Sequence, residues 1–270
     1  MKTRVITGIV AILLFIPICY FSYTVVFPIA IGILCAVGVF EMAKCLKLHK
    51  NLILTIPMYI VALGLPVFRF FLPSNTQFLA CALVALFGIL IFLFTFVVIR
   101  KNKDDLNQLL SFFTLFIYVV GCFSSLVMIR CSTDGKFMYL LAFLGAWICD
   151  TFAYFVGMLF GKHKLIPEIS PKKTVEGSIG GIVFTICGFA LYGLIVNSFF
   201  GAELSYIKLC ILGAVLSIVS QIGDLIASCI KRKYEIKDYG FIFPGHGGVL
   251  DRFDSVMLVA PVLYLLNVLI

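Results

Sequence analysis

The stretch Gln77-Phe-Leu-Ala-Cys-Ala-Leu-Val-Ala-Leu-Phe-Gly-Ile-Leu-Ile-Phe-Leu-Phe-Thr-Phe-Val-Val98 decides the fold class of this chain. It runs for 22 residues without a charged side chain. A helix needs about 20 predominantly apolar residues to cross the hydrocarbon core of a bilayer. Because backbone N–H and C=O groups find no water there, a single spanning segment satisfies them by forming a helix. The stretch therefore predicts a transmembrane helix.

Similar apolar runs recur along the whole sequence. The 270 residues are 62% hydrophobic and 13% charged, with a mean hydropathy of +1.15, which excludes an ordinary soluble domain. We predict an all-α, polytopic membrane bundle of about nine transmembrane helices, at residues 5–22, 25–43, 53–73, 77–98, 109–129, 137–159, 176–198, 207–229 and 249–269. The first run follows a basic N-terminus, as in a signal peptide. However, no clear small-residue cleavage site follows and a second apolar run begins almost at once, which favours a retained helix.

Basic residues between the runs indicate the orientation. With the N-terminus in the cytosol, 17 of the 21 Lys and Arg residues fall on the cytosolic side. They are Lys2, Arg4, Lys44, Lys47, Lys50, Arg100, Lys101, Lys103, Lys162, Lys164, Lys172, Lys173, Lys231, Arg232, Lys233, Lys237 and Arg252. This bias predicts a cytosolic N-terminus and a C-terminus on the opposite side. The net charge of +8 mostly reflects the same bias, and because it is scattered over short loops it does not suggest nucleic-acid binding.

The two halves of the chain differ in polarity. The first five predicted helices contain one carboxylate within an apolar run, Glu41, and otherwise carry mainly aliphatic and aromatic side chains. We predict that residues 1–130 are N-terminal scaffold helices and that residues 131–270 form the functional half, with two cytosolic loops. The ten cysteines include no Cys-x-x-Cys pair and lie mostly in apolar runs, which favours small buried side chains over disulfides or a zinc site.

Polar side chains lie inside two helices of the functional half. In the sixth helix, Asp150 is well within an apolar run and shares a face with Tyr154 and Gly157. The eighth helix carries a polar stripe made by Gln221, Asp224, Ser228 and Lys231. Lipid would reject such side chains, so they face a protein interior or a water-filled cavity, where a carboxylate is neutral, paired or metal-bound. A lone Asp that is hydrogen-bonded to a neighbouring helix is the structural alternative for Asp150.

The loop at residues 161–177 leads into the seventh helix. Ser170 or Thr174 can cap that helix. Lys172 and Lys173 lie beside the predicted helix N-terminus, and a helix N-terminus of this kind is a natural phosphate site. Ordinary anchoring of basic residues at the cytosolic face is the alternative reading of the two lysines.

The second cytosolic loop and its flanks carry the densest charge. They read Ser228-Cys-Ile-Lys-Arg-Lys-Tyr-Glu-Ile-Lys-Asp-Tyr-Gly-Phe-Ile-Phe-Pro-Gly-His-Gly-Gly-Val-Leu-Asp-Arg-Phe-Asp254. Asp251, Asp254 and Ser255 share a face of the ninth helix. One acid at a helix N-terminus would only suit the macrodipole, but two, joined by Asp224 and Asp238 on the same side of the membrane, exceed what capping needs. Clusters of this sort bind Mg²⁺, which typically uses one or two carboxylates and substrate phosphates.

These residues resemble the signature of a known family. The loop and its flanks are similar to the signature of the phosphatidate cytidylyltransferases, the CDP-diacylglycerol synthases. The matching pattern is Ser228-x-Ile-Lys231-Arg232, then Lys237-Asp238-x-Gly240, then Pro244-x-His246-Gly247-Gly248-x-x-Asp251-Arg252-x-Asp254. Two further patterns resemble the family as well: Trp147-x-x-Asp150-Thr-x-Ala-Tyr154-x-x-Gly157 and Ser170-Pro171-Lys172-Lys173-Thr174-x-Glu176-Gly177. The resemblance covers the second half by motif and the first half only by hydropathy, with no departure at the signature positions.

The resemblance implies a membrane-embedded nucleotidyltransferase of phospholipid biosynthesis, which converts CTP and phosphatidic acid to CDP-diacylglycerol and pyrophosphate with Mg²⁺. Such catalysis relies mainly on positioning and charge neutralisation, because two anions must meet. The implied metal ligands are Asp238 and Asp251, then Asp224, with Asp254 and Asp150 as ligands or orienting groups. The implied catalytic residues are Asp238, Asp251, Lys237, Arg252 and His246. The residues implied to bind substrate are Lys172, Lys173, Ser228, Lys231, Arg232, Gly247 and Gly248.

The setting fits this pair of substrates. The acyl chains can stay in the bilayer while CTP enters from the cytosol, so we expect a pocket that opens sideways to lipid between the sixth to ninth helices. The compact form without a soluble tail favours a bacterial inner membrane, with the active site on the cytosolic side.

Several alternatives stay open at the level of sequence. His246, which lies between glycines, either contacts substrate or only holds its loop. A related CTP-dependent enzyme that acts on a polyprenol or another lipid would share most of these motifs. An ion-coupled transporter would use Asp150 and Asp224, although the chain lacks the two related halves of many transporters. Two metal ions would account for the number of carboxylates, whereas a monovalent ion beside Mg²⁺ and a homodimer are left undecided.

Overall fold

The structure is a computed structural model that describes residues 2–100 and 105–269, without the side chains of residues 2–5, 100 and 105. Lys101 and Lys103, predicted to be cytosolic, lie outside the described residues. The described part of the chain is almost entirely helical. Its elements are α1 (Lys2–Tyr20), α2 (Val26–Cys45), α3 (Leu52–Phe71), α4 (Asn75–Arg100), α5 (Asp105–Arg130), α6 (Gly135–Phe160), β1 (Lys164–Ile166), β2 (Ser170–Thr174), α7 (Val175–Phe200), α8 (Tyr206–Lys233) and α9 (Leu250–Leu269).

The helices have the length and composition of membrane spans. Within the described residues, eight helices, α2 to α9, are long and apolar enough to cross a bilayer, and α1 contributes a shorter apolar segment, Ile6–Tyr20. Helix α4, which contains the stretch quoted first, exposes Leu83, Val84 and Phe87, as suits a surface that meets lipid. The predicted all-α, polytopic fold is confirmed, and the chain is a multi-pass membrane protein. Its orientation stays a prediction.

The chain divides into two compact units. The first comprises the described residues of Met1–Cys131 and Ile236–Arg252. Helices α2, α3 and α5 pack against one another in it, around aromatic and thioether side chains that are almost fully buried. The largest of these side chains are Phe27, Met42, Met58, Phe112, Phe116 and Phe123. The loop that carries the Pro-Gly-His-Gly-Gly sequence therefore belongs to the same unit as the N-terminal helices.

The second unit comprises the described residues of Ser132–Glu235 and Phe253–Ile270. Its tightest packing joins α6 and α7 through glycines. A Cβ atom on Gly177 would lie 2.5 Å from the carbonyl oxygen of Ala153, and one on Gly181 would lie 3.0 Å from that of Cys149. Small residues thus allow the two backbones to approach closely, as in many membrane bundles. The assignment of a scaffold role to residues 1–130 and a catalytic role to residues 131–270 remains a functional prediction.

A short hairpin precedes α7, where the sequence predicted only a loop. Strands β1 and β2 are antiparallel, with Lys164 opposite Thr174 and Ile166 opposite Ser170. The hairpin is tied to α7 by Glu176, whose carboxylate lies 2.6 Å from His163 Nδ1. It has no apolar periodicity of its own, so the pattern of residues 161–177 did not reveal it.

The predicted cap of α7 is confirmed for one of the two candidates. Thr174 is the N-cap residue, and its Oγ1 accepts a hydrogen bond of 3.1 Å from the backbone N–H of Gly177. Ser170 instead begins strand β2. Lys172 and Lys173 therefore lie on a strand directly before a capped helix, and the strand fixes them on opposite faces of the hairpin.

Candidate functional site

The second unit contains an ion pair between two predicted site residues. The ammonium group of Lys173, from strand β2, contacts Oδ2 of Asp224 on helix α8. Their side chains are 24% and 27% exposed, so both are partly removed from solvent. Lys172, the preceding residue, is exposed. The strand therefore separates the two lysines, and only Lys173 reaches the carboxylate.

Asp150 lies in the same unit and is held by α9. The hydroxyl of Ser255 donates a hydrogen bond of 2.9 Å to Asp150 Oδ2. This is the hydrogen bond to a neighbouring helix that the structural alternative describes, and Asp150 in addition interacts electrostatically with Asp224 and Lys173, so both interpretations of Asp150 stay open. It lies ten residues before the end of α6, about 15 Å along the helix axis, yet its side chain is exposed. Lipid would penalise such a group, so the carboxylate needs polar partners, which Ser255 and Lys173 supply.

Asp254 completes a group of three carboxylates. It interacts electrostatically with Asp224, Asp150 and Lys231. Helices α8 and α9 come close at this level, since a Cβ atom on Gly223 would lie 2.8 Å from the carbonyl oxygen of Asp254. Gly223 thus lets the backbones of α8 and α9 approach, which brings Asp224 and Asp254 together.

The predicted polar stripe of α8 faces inward. Gln221 is 7% exposed, and its Nε2 donates to the carbonyl oxygen of Ser178 at 3.3 Å. Asp224, Ser228 and Lys231 are half-buried, whereas Ile222 on the opposite face is exposed. The side chains that lipid would reject are therefore the ones that the helix turns towards protein.

The glycine-rich loop in the first unit is a closed turn. The backbone N–H of Phe243 donates to the carbonyl oxygen of Gly247 at 3.0 Å, and that of His246 donates to Phe243 at 2.8 Å. Gly245 and Gly247 have φ angles of 77° and 87°, a region that favours glycine. The His246 ring is half-buried, and within the described residues its Nδ1 atom has no hydrogen-bond partner. The backbone therefore closes the turn without a hydrogen bond from Nδ1 of the ring, and the substrate contact of His246 stays a prediction.

Asp251 binds backbone groups of this loop. Its Oδ2 accepts hydrogen bonds from the N–H groups of Tyr239 at 2.8 Å and Gly248 at 2.9 Å, and the residue is 7% exposed. Asp251 therefore joins the two ends of the loop to the first turn of α9. The neighbouring Asp238 is half-buried, and Lys237 and Arg252 are exposed.

Glu41 is part of the same arrangement, although the sequence indicated only that it was an isolated carboxylate. Its Oε1 and Oε2 accept hydrogen bonds of 2.9 Å from the N–H groups of Val249 and Leu250. It is 1% exposed. The signal that could have found it was its position as a single carboxylate in five apolar helices, because a buried carboxylate needs a partner.

The predicted site residues thus fall into two groups. The first unit holds Lys237, Asp238, His246, Gly247, Gly248, Asp251 and Arg252. The second holds Asp150, Lys172, Lys173, Asp224, Ser228, Lys231, Arg232 and Asp254, of which Lys172 and Arg232 are exposed.

The donor atoms of the second unit fit a hard cation. Carboxylate oxygens are the protein ligands that Mg²⁺ prefers. Among the residues that the structure describes, no three His, Cys, Asp or Glu side chains are already arranged to hold a metal ion. However, the ammonium group of Lys173 contacts Asp224 and interacts electrostatically with Asp150, so these carboxylates already have a positive charge near them. The chemistry of the group suits a metal, and binding requires rearrangement of this ion pair.

Comparison with known proteins agrees with these features. Residues 2–270 match the sequence model of the cytidylyltransferase family. A phosphatidate cytidylyltransferase of Bacillus subtilis is 38% identical over 98% of this chain and 97% of its own length. Those of Staphylococcus saprophyticus and Staphylococcus haemolyticus are 33% and 34% identical, each over 98% of both chains. This multi-pass membrane protein belongs to the cytidylyltransferase family.

Proposed function

We propose that this protein transfers the cytidylyl group of CTP to phosphatidate in phospholipid biosynthesis, which forms CDP-diacylglycerol and pyrophosphate. The observation that carries the proposal is the family match over residues 2–270, together with relatives of the same length that are named for this activity. The group of three aspartates with Lys173 and Lys231 supplies the charges that such a reaction needs.

The reaction is a displacement at phosphorus. A phosphate oxygen of phosphatidate attacks the α-phosphorus of CTP, and the bond from that phosphorus to the oxygen that bridges it to the β-phosphorus breaks. Pyrophosphate leaves with the electron pair of that bond. No covalent enzyme intermediate is needed, and Ser228 has no base beside it in the sequence to activate it as a nucleophile.

Basic residues neutralise the anions as they approach. Lys173 and Lys231 are half-buried next to carboxylates, where a charge interacts more strongly than in open water. We assign them to the phosphates of the reacting centre. The exposed Lys172, Arg232, Lys237 and Arg252 attract CTP from the cytosol, and Ser228, His246, Gly247 and Gly248 supply polar contacts to substrate.

We assign a magnesium site to the aspartates. Asp150, Asp224 and Asp254 would hold the ion in the second unit, and Asp238 and Asp251 are the proposed ligands in the first. Mg²⁺ when bound would offset the charge of the phosphates and of the leaving pyrophosphate. Lys173 is the residue that must leave Asp224 for a metal to bind there, and the phosphates of CTP offer its ammonium group a new partner. The five proposed aspartates would also be enough to bind a second metal ion or a monovalent ion.

Two exposed polar side chains on α6 support access from the bilayer. Asp150 and Tyr154 are both exposed and lie one turn apart on α6. In this proposal the lipid phosphate reaches the aspartates sideways, while the acyl chains remain in the membrane. The enzyme works at the cytosolic face of a bacterial inner membrane. Nucleic acid has no part in it, and a homodimer would not need to share residues, because each chain carries the full proposed set.

The test is turnover by purified protein. Detergent-solubilised protein is given phosphatidic acid, CTP and Mg²⁺, and both pyrophosphate and CDP-diacylglycerol are measured. We expect formation of both products in equal amounts, with loss of the reaction in EDTA or when ATP replaces CTP. Release of pyrophosphate from CTP in the presence of a polyprenyl phosphate, but not with phosphatidic acid, would assign a different lipid acceptor. No turnover of any lipid phosphate by folded protein would refute the proposal.

A further inference from the structure

The first turn of α9 lacks a cap of its own. The N–H groups at the start of a helix have no partner within the helix, and a polar residue just before it usually accepts from them. Here Gly248 and Val249 precede the helix, and neither has a side chain that can accept a hydrogen bond. Asp251 reaches back to the N–H of Gly248, in the manner of a capping box, so one donor is satisfied locally.

Glu41 supplies the missing cap from a distant part of the sequence. One carboxylate oxygen accepts from Val249 and the other from Leu250, each at 2.9 Å, across more than 200 residues. The carboxylate is buried, and its negative charge lies at the positive end of the helix dipole. Both oxygens are used for α9, so the residue is placed to fix the position of this helix end.

The loop is shaped around the same carboxylate. A Cβ atom added to Gly240 or Gly248 would overlap Glu41 Oε1, so both glycines provide the space for it. One turn along α2, the ammonium group of Lys44 lies 5.3 Å from the ring centre of Phe241, a second contact between the helix and the loop. Glu41 therefore touches the loop on both sides of its turn.

We propose that Glu41 is a positioning residue for the reaction, which holds the His246–Gly248 turn and Asp251 in place by capping α9 from α2. This inference rests on the proposed function for its catalytic meaning. It gives the N-terminal helices a direct part in forming the active loop, beyond the scaffold role that the sequence predicts for residues 1–130. Glu41 itself contacts backbone groups and no reacting atom.

The experiment compares Glu41→Gln with a matched control, Arg69→Gln. Gln has the size of Glu, but it offers one carbonyl oxygen to two N–H donors and places an NH₂ group against the second. Arg69 is also buried and charged in the first unit, where Nη1 donates to the carbonyl oxygen of Leu72 at 2.9 Å and Nε donates to Asn75. Its loss should lower stability without loosening the loop.

The first readout is amide hydrogen exchange by mass spectrometry on metal-free protein. We expect peptides that cover residues 239–250 to exchange at least about tenfold faster in Glu41→Gln, because charge-assisted hydrogen bonds are lost, and to be unchanged in Arg69→Gln. The second is turnover at equal amounts of folded, monodisperse protein. We expect kcat to fall about tenfold or more and the Mg²⁺ concentration for half-maximal rate to rise in Glu41→Gln, as for other groups that orient ligands.

The outcomes separate this inference from the proposed function. Fast exchange of the loop with unchanged kcat and magnesium dependence would reduce Glu41 to a structural cap and overturn the positioning role. Unchanged exchange would overturn the cap itself. A wild-type protein without cytidylyl transfer would refute the proposed function, whereas exchange in metal-free protein would still decide whether Glu41 holds the loop.

Discussion

Acidic side chains are used differently in the two units. In the first, Glu41 and Asp251 are buried and their oxygens accept from backbone N–H groups. In the second, Asp150, Asp224 and Asp254 interact with side chains and with one another, and backbone contact is limited to Asp254 Oδ1, which accepts from the N–H of the next residue, Ser255, among the bonds described. Carboxylates bound to backbone fix a shape, whereas carboxylates grouped together concentrate charge that calls for a cation. The same residue type thus holds a loop in the first unit, where we propose metal binding only as an added role of Asp238 and Asp251, and in the second unit we propose cation binding as its main role.

The largest effect should come from the grouped carboxylates. We expect Asp224→Asn to lower turnover by about 100-fold or more, since it removes a charge from the proposed metal site. Thermal stability should also fall, because the variant leaves the buried ammonium group of Lys173 without its counter-charge. Pyrophosphate release and thermal unfolding of the same preparation measure both. Retained turnover would remove Asp224 from the metal site. The grouped carboxylates of the second unit would then have no demonstrated role that the backbone-bound carboxylates of the first unit lack.

Asp251 offers the opposite test, because its contacts are with backbone. We expect Asp251→Ala to lose stability relative to Asp251→Asn, by about 1–3 kcal/mol for each buried N–H that loses its acceptor. Asn keeps a carbonyl oxygen for Tyr239 and Gly248. If Asp251 is also a metal ligand, as proposed, both variants lose turnover. Thermal unfolding separates the loss of stability from the loss of turnover. Equal stability of Asp251→Ala and Asp251→Asn would contradict the role of Asp251 in closing the loop.

The two lysines of strand β2 should differ in importance. We expect Lys173→Met to lower turnover about tenfold or more, since it acts near the carboxylates in a partly desolvated site. Lys172→Met should lie within about fivefold of wild type, because exposed charges contribute little. Rates at several salt concentrations provide the check, with only the Lys172 effect fading at high salt. An equal loss of turnover in the Lys172 and Lys173 variants would mean that the ion pair with Asp224 does not contribute to the reaction.

The smallest effect concerns the helix cap that supports the hairpin. We expect Thr174→Ala to lower the free energy of unfolding by about 1 kcal/mol, as for other N-cap residues. Ser170→Ala, on the same strand but without a capping bond, serves as the control and should change it by less than about 0.5 kcal/mol. Urea or thermal unfolding in detergent would measure the difference. A control as damaging as the Thr174 variant would mean that strand β2, and not the cap, supports Lys173.

The sequence predicts the fold class well because apolar length alone specifies a membrane helix. It also predicts the polar stripe of α8 and the cap at Thr174, since both follow from local spacing. It does not reveal the β1–β2 hairpin, which lacks a periodic pattern. Nor does it connect Glu41 with Val249 and Leu250, because no local pattern relates residues more than 200 positions apart. Long-range hydrogen bonds of buried carboxylates become visible only in three dimensions.

The proposed metal site is tested most directly by cation binding to the grouped aspartates. Mn²⁺ can stand in for Mg²⁺, and its binding to purified protein in the presence of CTP is measured by electron paramagnetic resonance. We expect wild-type protein to bind the ion and Asp224→Asn to lose most of this binding while remaining folded. Binding of equal strength in both proteins would contradict the assignment of the metal site to Asp150, Asp224 and Asp254.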